Sequence, residues 1–385
     1  MVLVTGARQV GKSTLLKKKL GDIAYLTFDD PSEVLSARTD PKTFLELHDT
    51  PLILDEIQYI PQLFPYIKMD VDSKDTVGLY YLTGSQQFFM MKNVSESLAG
   101  RIGILQLLGI SLRERYNESY DKPFLPILEY IKTRKPSFSC TGKELWNVIH
   151  QGSFPAVVAG KTSWNDFYSS YVKTYLERDV RSLTQVGDEL RFLQFLTVAA
   201  SRTGQLLNYR DIASEVGISE PTAKSWFSIL IASGIVYLLR PYSNNVEKRV
   251  VKTPKLYFLD TGLVSWLTKW KTPEVLESGA MAGNIFETFV VSEIMKSYLN
   301  AGEDPPLYFY RDKDGTEIDL IIDEGGCLYP VEIKKTASPN SNDAANFFIM
   351  GRIRGKKIGP RVVVCASNNV GMLSEGTFSL PVNYL

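Results

Sequence analysis

The sequence predicts an α/β fold for residues 1–115, on two observations. Short apolar runs alternate along the chain with segments of helical character. These runs lack the polar–apolar alternation of half-exposed strands, which is typical of strands buried on both faces of a parallel sheet. Strands are expected at residues 2–4, 23–28, 52–54, 77–82 and 102–108, with a helix at residues 11–20 after the first strand.

The rest of the chain is predicted to form three further segments. Residues 116–187 are mainly helical, with several prolines between the helices. Residues 188–272 have the order helix, helix, turn, helix, hairpin, which is that of a winged helix-turn-helix, and Asn208 and Ser219 are expected to cap its second and third helices. Residues 273–385 are predicted to be a small α/β unit, with a helix at 283–299, strands at 307–311, 317–322, 329–335 and 361–365, and a helix near 343–350.

Composition limits the possible classes of function. A length of 385 residues suggests two or three domains. Lys+Arg and Asp+Glu number 43 each, so no overall basic charge draws the chain to nucleic acid or to an anionic membrane. The three cysteines are far apart and the histidines are two, which excludes a disulfide framework and a His-rich metal site and favours a cytoplasmic location. The apolar stretch at 229–239 is too short to span a bilayer, so no membrane partner is expected.

A phosphate-binding loop is the strongest motif. The pattern GxxxxGK[ST] follows the first strand and opens the first helix, which is the context the motif requires. Glycines let backbone N–H groups surround phosphate oxygens, and the helix N-terminus adds partial positive charge. Lys12 is expected to reach the β- and γ-phosphates, and the Ser13 hydroxyl to ligate Mg²⁺. The expected nucleotide-binding residues are Gly6, Ala7, Arg8, Gln9, Val10, Gly11, Lys12, Ser13 and Thr14.

Two carboxylates follow the third strand. Asp55 and Glu56 come directly after an apolar run, so they lie at the carboxyl edge of the predicted sheet, where ligands bind in open α/β folds. Asp55 is expected to hold Mg²⁺ through water, and Glu56 to polarise the attacking water. Thr83 and Ser85, after the fourth strand, are expected to sense the γ-phosphate or the water, and the sequence does not choose between them; simple turn chemistry is the alternative.

Arg101 directly precedes the fifth strand. An arginine at this position can stabilise the transferring phosphate of a neighbouring subunit, so a homo-oligomer stays open as the assembly. The alternative is a solvated arginine at the start of a strand.

Five strings in this order resemble the bacterial and archaeal AAA-type ATPases that carry a carboxy-terminal nuclease-like domain: GARQVGKSTLL, LILDEIQ, YYLTGS, VSESLAGR and TYLERDV. The resemblance covers nearly the whole chain, and the last two strings are its most specific part. It implies a sheet of strand order 5-1-4-3-2 and a restriction-endonuclease-like last domain. It also implies that the cofactors are ATP and Mg²⁺ and that Lys12, Ser13, Asp55 and Glu56 act on them. Arg101 and Arg178 are then candidates for contacting the γ-phosphate.

A second group of polar residues lies in the last segment. Glu332 and Lys334 share a face of one strand, and Asp319 faces Glu332 if the two strands pair as a hairpin. Glu287, on the apolar side of the preceding helix, is expected to join them, whereas Glu293 is expected on the wet side. The set resembles the PD-(D/E)XK nuclease core, with Asp319 and Glu332 as metal ligands. The alternative is a set of ordinary exposed strand residues.

The expected recognition helix offers little positive charge. Lys224 is its cation and Glu220 stands against it, while the expected wing loop carries Lys248, Arg249, Lys252 and Lys255. DNA binding and protein contact therefore both stay open as roles for this segment.

Three hypotheses of function follow from these residues. The first is an ATP-hydrolysing switch or motor that acts on nucleic acid, and the second is a metal-dependent DNA nuclease regulated by nucleotide. The third is a non-hydrolysing protein that binds nucleotide to order itself. Glu56 favours hydrolysis over the third, and the Asp319, Glu332 and Lys334 set keeps the second open.

Overall fold

A computed structural model describes residues 1–74, 76–85, 98–176, 189–243, 253–353 and 355–385. These residues form two compact units. Unit 1 comprises Met1–Gly109 and Ser228–Ile235, and unit 2 comprises Ile110–Phe227 and Val236–Leu385. Among the described helices, none is long and apolar enough to cross a membrane.

Unit 1 is built on a five-stranded sheet in which every neighbouring pair is parallel. Its strands are β1 (Val2–Thr5), β2 (Ala24–Thr27), β3 (Leu52–Asp55), β4 (Tyr80–Gly84) and β5 (Gly103–Gln106). The order β2-β3-β4-β1-β5 confirms the expected 5-1-4-3-2 sheet. The carboxyl ends of β1 and β3 therefore lie at the same edge, with β4 between them.

In the described part of residues 1–109, unit 1 has four α-helices, and aspartates cap the second and the third. They are α1 (Lys12–Leu20), α2 (Pro31–Thr39), α3 (Pro41–Glu46) and α4 (Leu63–Lys74). Asp30 accepts a hydrogen bond from Ser32 N at 2.8 Å, and Asp40 from Thr43 N at 3.1 Å. The sequence analysis did not predict α2, α3 and α4.

The fourth strand starts later than predicted. The expected range was 77–82, but β4 starts at Tyr80 and Val77 is 94% exposed. The start of β4 is set by the neighbouring strands with which it pairs, because Tyr80 pairs with Leu52 of β3 and Tyr81 with Val2 of β1. The apolar character of Val77 therefore did not mark a strand residue.

Unit 2 begins with short helices and continues with a small three-stranded antiparallel sheet. The helices are α5 (Leu112–Arg115), α6 (Leu128–Arg134), α7 (Gly142–Gln151), α8 (Pro155–Val158) and α9 (Trp164–Tyr171). There follow α10 (Glu189–Ser201), β6 (Gln205–Leu206), α11 (Tyr209–Val216), α12 (Glu220–Ala232), β7 (Val236–Leu239) and β8 (Lys255–Phe258), and the sheet has the order β6-β8-β7. Asn208 and Ser219 cap α11 and α12 as predicted, since Asn208 accepts from Arg210 N at 3.1 Å and Ser219 from Thr222 N at 3.1 Å.

The last part of unit 2 is a mixed sheet beside one long helix. The helices are α13 (Thr261–Leu267), α14 (Pro273–Ser278) and α15 (Ala282–Asn300), and a 3-10 helix covers Ser341–Arg352. The strands are β9 (Leu307–Arg311), β10 (Glu317–Glu324), β11 (Cys327–Lys334), β12 (Lys357–Ile358), β13 (Arg361–Cys365), β14 (Gly371–Ser374) and β15 (Thr377–Pro381). The order is β14-β15-β13-β11-β10-β9, with β12 beside β11. The sequence analysis did not predict β12, β14 and β15.

Candidate functional site

The phosphate loop connects β1 to α1 and has a backbone that requires glycine at two positions. Gly6 has φ 145°, and a Cβ at this residue would lie 2.1 Å from the carbonyl oxygen of Leu107. Gly11 has φ 99° directly before α1 begins. Side chains other than hydrogen are strained at such φ values. The loop thus presents its backbone N–H groups at the start of a helix, as an anion-binding loop does.

Lys12 is buried, with 5% of its surface exposed. Its Nζ lies 3.1 Å from the carbonyl oxygen of Gly6 and 3.0 Å from that of Ala7. The ammonium is therefore held over the loop itself, at the position from which it can meet a phosphate bound there.

Asp55 at the end of β3 is hydrogen-bonded to hydroxyl groups. Ser13 Oγ donates to its Oδ1 at 2.7 Å and Tyr25 Oη to its Oδ2 at 2.5 Å, and Thr83 Oγ1 also donates to Oδ1. Asp55 is 4% exposed. These neutral donors orient the carboxylate and leave its negative charge in place. Ser13 and Asp55 therefore fit the Mg²⁺ of a bound nucleotide, one by its hydroxyl oxygen and the other by a carboxylate.

Glu56 follows with a left-handed backbone, at φ 57°. Its backbone N–H donates to Thr83 Oγ1 at 3.0 Å, and its carboxylate accepts from Ser85 Oγ at 3.1 Å and from Gln58 Nε2. The structure thus gives Thr83 and Ser85 different contacts, since Thr83 bonds to Asp55 and Ser85 to Glu56.

Sequence reasoning missed Tyr25 and Gln58. Burial, and then its hydrogen bond to Asp55, raise the pKa of Tyr25 well above its usual range, so its hydroxyl keeps the proton that it donates. Lys17 Nζ lies 3.5 Å from the centre of the Tyr25 ring. A tyrosine inside a four-residue strand is a weak signal, because it is also an ordinary strand residue.

Arg101 lies at the opposite edge of the sheet from the phosphate loop. Gly103 pairs with Val2 at the start of β1, so Arg101 precedes the amino ends of both strands, whereas the loop follows the carboxyl end of β1. Its guanidinium bonds to Asp72 through Nε and through Nη2, the latter at 3.1 Å. Arg101 does not meet the nucleotide site of its own chain. Arg178 lies outside the described residues.

A second cluster of charged side chains lies in unit 2, and we call it the carboxylate cluster. Its members come from β8, β10, β11 and α15: Lys255, Glu287, Glu317, Asp319, Glu332 and Lys334.

The β10–β11 hairpin supplies three members of the carboxylate cluster. The antiparallel register pairs Leu320 with Val331, which places Asp319 beside Glu332. Lys334 Nζ lies 2.7 Å from Glu332 Oε2 and 3.5 Å from Asp319 Oδ2. Glu332 is only 1% exposed. It is therefore not an ordinary solvated strand residue.

Glu287 of α15 is held by the strand β8. Lys255 Nζ lies 2.9 Å from Glu287 Oε1, and Tyr257 Oη donates to the same oxygen at 2.5 Å. Lys255 also forms an ion pair with Glu317. Lys255 was counted among the cations of the expected wing loop, but it is the first residue of β8 and is 3% exposed.

Two carboxyl groups of the carboxylate cluster, those of Glu287 and Glu332, have raised pKa values. Burial, and then the negative charge of Asp319, raise the pKa of Glu332 well above its usual range. The same two causes raise the pKa of Glu287, and the charge of Lys255 opposes them. One oxygen of Glu332, Oε1, is buried without a hydrogen-bond partner among the described residues.

The carboxylate cluster does not fit a divalent metal as it stands. In the part of the chain that the structure describes, no three His, Cys, Asp or Glu side chains are placed to hold a metal ion. Lysine ammonium groups contact Glu287, Asp319 and Glu332, so oxygens that could ligate a metal already pair with cations. The expectation that Asp319 and Glu332 are metal ligands is therefore at odds with their contacts.

The position of Glu293 also differs from the prediction. It was predicted to lie on the wet side of its helix, but it is 4% exposed, because α15 is covered on all sides. Its carboxylate accepts from Lys296 Nζ at 2.7 Å and from Leu112 N at 2.7 Å. Glu293 therefore serves to join α5 to α15.

A cleft on unit 2 runs between α11, α12, β7 and the residues before β8. Three cations line it, namely Arg210, Lys224 and Arg240. Glu220, also in the lining, lies 2.7 Å from Lys224 and 3.9 Å from Arg210. We call this the cationic cleft. The expected wing residues Lys248, Arg249 and Lys252 fall outside the described part of the chain.

Comparisons with known families divide the chain into three parts. Residues 1–116 match the family described as an AAA domain. Residues 142–274 and 282–385 match two families, each described as a domain of unknown function. The resemblance of the first part to AAA-type P-loop ATPases is thus confirmed, and neither of the other two matches names a winged helix or a nuclease.

Two relatives from mycobacteria align with most of the chain. The uncharacterized proteins Mb2031c of Mycobacterium bovis and Rv2008c of Mycobacterium tuberculosis are each 29% identical over 341 residues, which is 88% of this chain and 71% of theirs.

Two solved structures with which the chain was compared are distant likenesses. A RuvB protein of Thermotoga maritima is 15% identical with a TM-score of 0.30, and covers 61% of this chain and 80% of its own. Protein VC1899 of Vibrio cholerae is 12% identical with a TM-score of 0.20, and covers 99% of this chain and 94% of its own. Both TM-scores are too low to support an argument.

Proposed function

We propose that the protein binds ATP with Mg²⁺ and hydrolyses it, and that it works as a nucleotide-driven switch or motor. The observation that carries this proposal is the meeting of Ser13 with Asp55 at the carboxyl edge of the sheet, with Glu56 next in the chain. A phosphate loop alone supports binding. A carboxylate beside the bound phosphates supports hydrolysis as well.

Each residue has a distinct part in this reaction. Lys12 and the loop N–H groups bind the β- and γ-phosphates, and Ser13 and Asp55 hold Mg²⁺, whose charge offsets that of the phosphates. Glu56 accepts a proton from the attacking water. The hydroxyl of Thr83 orients the carboxylate of Asp55 by a hydrogen bond, and the hydroxyl of Ser85 orients that of Glu56 in the same way.

Two substitutions test the proposal. Lys12→Ala should abolish tight ATP binding, because the phosphates lose their ammonium. Glu56→Gln should bind ATP but not hydrolyse it, because an amide is a poor proton acceptor. Binding is measured by fluorescence of a labelled ATP analogue and hydrolysis by phosphate release. Wild-type turnover by Glu56→Gln would exclude Glu56 as the base.

Arg101 supports an assembly in which one copy completes the site of another. Its place at the far edge of the sheet rules out action on its own phosphate loop. Arginines supplied from a second protein accelerate phosphoryl transfer by about 10³–10⁵ in well-studied cases. We therefore include a homo-oligomer in the proposal.

A mixing experiment tests this role of Arg101. Neither Arg101→Ala nor Lys12→Ala should hydrolyse ATP alone. A mixture should recover part of the activity, because a site with Lys12 then meets a neighbour with Arg101. Asp72→Asn is the control, since it frees Arg101 from its ion pair without removing the guanidinium. Absence of recovery, in subunits shown to exchange, would count against a role in trans.

Nucleic acid is the second part of the proposal, and the cationic cleft is the observation that favours it. The order of α10, α11, α12, β7 and β8 agrees with the winged helix predicted from the sequence, and the lining of the cleft includes Glu220 and Lys224 near the start of α12, the helix that would enter the major groove in such a domain. Among the described residues that line the cleft, three are cations and one, Glu220, is a carboxylate. A protein partner is the alternative occupant.

Titration of a DNA duplex against salt separates these possibilities. Arg240→Ala and Arg210→Ala should each weaken binding and reduce the salt slope by about one. Arg202→Ala is the matched control, because Arg202 pairs with Glu215 and does not line the cleft. Equal losses in all three variants would indicate general charge and not a binding cleft.

The free state of Cys140, Cys327 and Cys365 agrees with a reducing compartment. The cytoplasm is therefore the location that we propose for this activity.

A further inference from the structure

The carboxylate cluster contains its own cations. We propose that Lys255 occupies the cation position of this cluster, so that the native protein takes no divalent metal there and gains a metal site when the Lys255 ammonium is removed. This inference does not depend on the proposed ATPase activity.

The contacts of Lys255 are those of a bound cation. Its Nζ lies 2.9 Å from Glu287 Oε1 and also contacts Glu317. These two carboxylates come from α15 and β10, and Lys255 itself comes from β8. One ammonium thus joins three elements, as a metal ion shared between them would.

Burial makes these contacts obligatory. Lys255 is 3% exposed, and a buried ammonium is stable only where carboxylates or other acceptors surround it. Lys334 has the corresponding position at the other end of the cluster, beside Asp319 and Glu332. A divalent ion in the cluster would approach two ammonium groups and would compete with them for the same oxygens.

The oxygens themselves are suitable for a hard cation. Carboxylates are the ligands that Mg²⁺, Mn²⁺ and Ca²⁺ prefer. Glu332 Oε1 is buried and lacks a hydrogen-bond partner among the described residues, so one ligand atom is already available. Glu287 would supply another once Lys255 no longer bonds to it. With the lysines in place, no three carboxylates of the described residues are arranged to hold a metal, so a site requires both the loss of the Lys255 ammonium and a shift of Glu287 toward Glu332.

The groups around Lys255 agree with this assignment. Tyr257 donates to the oxygen of Glu287 that Lys255 contacts, and Arg311 lies 3.5 Å from Glu317 Oε2. Both groups supply further positive or hydrogen-bonding contacts to carboxylates near Lys255. Side chains of this chain thus offset most of the negative charge of the cluster.

Titration of the full-length protein with Mn²⁺ tests the proposal. All proteins carry Asp55→Asn, so that the nucleotide site contributes no metal, and binding is followed by calorimetry and by the spin-resonance signal of free Mn²⁺. The parent should show no saturable binding up to millimolar Mn²⁺. Lys255→Met, which keeps the apolar stem, should bind one Mn²⁺ at least about tenfold more tightly than the parent. Adding Glu332→Gln should remove that binding.

The matched control is Lys356→Met. Lys356 pairs with Asp323, which also lies on β10 but is not a member of the carboxylate cluster. The Lys356→Met variant should therefore gain no metal. A folded Lys255→Met that gains no Mn²⁺ would overturn the proposal. So would saturable binding by the parent that Glu332→Gln abolishes. If neither Lys255→Met nor the milder Lys255→Gln folds, the Mn²⁺ titration of the parent with and without Glu332→Gln still tests the proposal.

Discussion

The nucleotide site of unit 1 and the carboxylate cluster of unit 2 both place carboxylates beside a sheet, but different groups satisfy them. Asp55 accepts from the hydroxyls of Ser13, Tyr25 and Thr83. Glu287 and Glu332 instead contact the ammonium groups of Lys255 and Lys334. A hydroxyl orients a carboxylate and leaves its charge available to a metal, whereas an ammonium cancels that charge. Acidic residues alone therefore do not identify a metal site, and the identity of their donors must also be known.

The largest expected difference is in stability. Lys255→Ala should lower the free energy of unfolding by about 3–5 kcal/mol, because it leaves buried carboxylates without their cation. Lys42→Ala, which removes an exposed partner of Glu46 at 3.6 Å, should leave that free energy nearly unchanged. Urea denaturation of the full chain measures both. A small effect of Lys255→Ala would show that the ammonium does not hold the cluster together.

The second expected difference is in pH dependence. The pKa values of Glu287 and Glu332 are raised in the folded protein, so the folded state binds more protons than the unfolded state. The stability that these two groups contribute should therefore be complete below about pH 4.5, the ordinary glutamate value, and be lost as pH rises toward their raised pKa values, by at most about 1.4 kcal/mol per pH unit and group.

Glu332→Gln should flatten this pH dependence, and Glu303→Gln, at an exposed position, should not. Urea midpoints at a series of pH values give the slope. A slope of equal size in Glu332→Gln would mean that other groups cause it.

The smallest expected effect concerns Tyr25. Tyr25→Phe removes one hydroxyl donor of Asp55, and a hydrogen bond of this kind contributes about 0.5–1.5 kcal/mol. The Mg²⁺ concentration for half-maximal ATPase activity should rise by about two- to tenfold, with little change at saturating Mg²⁺. Tyr80→Phe is the matched control, because Tyr80 Oη donates to Asp70 at 2.7 Å. Equal effects of both changes would place the cause in the general stability of unit 1.

Local motifs made the nucleotide site predictable. The phosphate loop fixes its own backbone through Gly6 and Gly11, and Asp55 follows a strand whose edge the parallel sheet determines. Tyr25 and Gln58 were missed, since their roles depend on which strand lies beside β3 and on the turn after Glu56. Neither relation is visible in the sequence around these residues.

The cluster in unit 2 was predicted only in part. The alternation of residues in β10 and β11 placed Asp319, Glu332 and Lys334 together, because a hairpin brings near neighbours in sequence into contact. Lys255 was missed because it reaches α15 from a distant strand. Glu293 was misplaced because helical periodicity distinguishes a wet side only when a helix has one, and α15 is buried all round.

The opposite positions of Arg101 and the phosphate loop constrain the symmetry of any assembly that joins them. A two-fold dimer pairs one edge of the sheet with the other only if both edges lie in the same patch, because each contact then occurs twice. If the two edges belong to separate patches, the contact is head-to-tail, and each copy has one edge free for the next. Such contacts close into a ring when the rotation per copy divides a full turn, and otherwise continue as a filament. In a ring every copy both gives an arginine and receives one. A single inactive subunit would therefore lose ATP hydrolysis at its own site and also at the neighbouring site to which it gives its arginine.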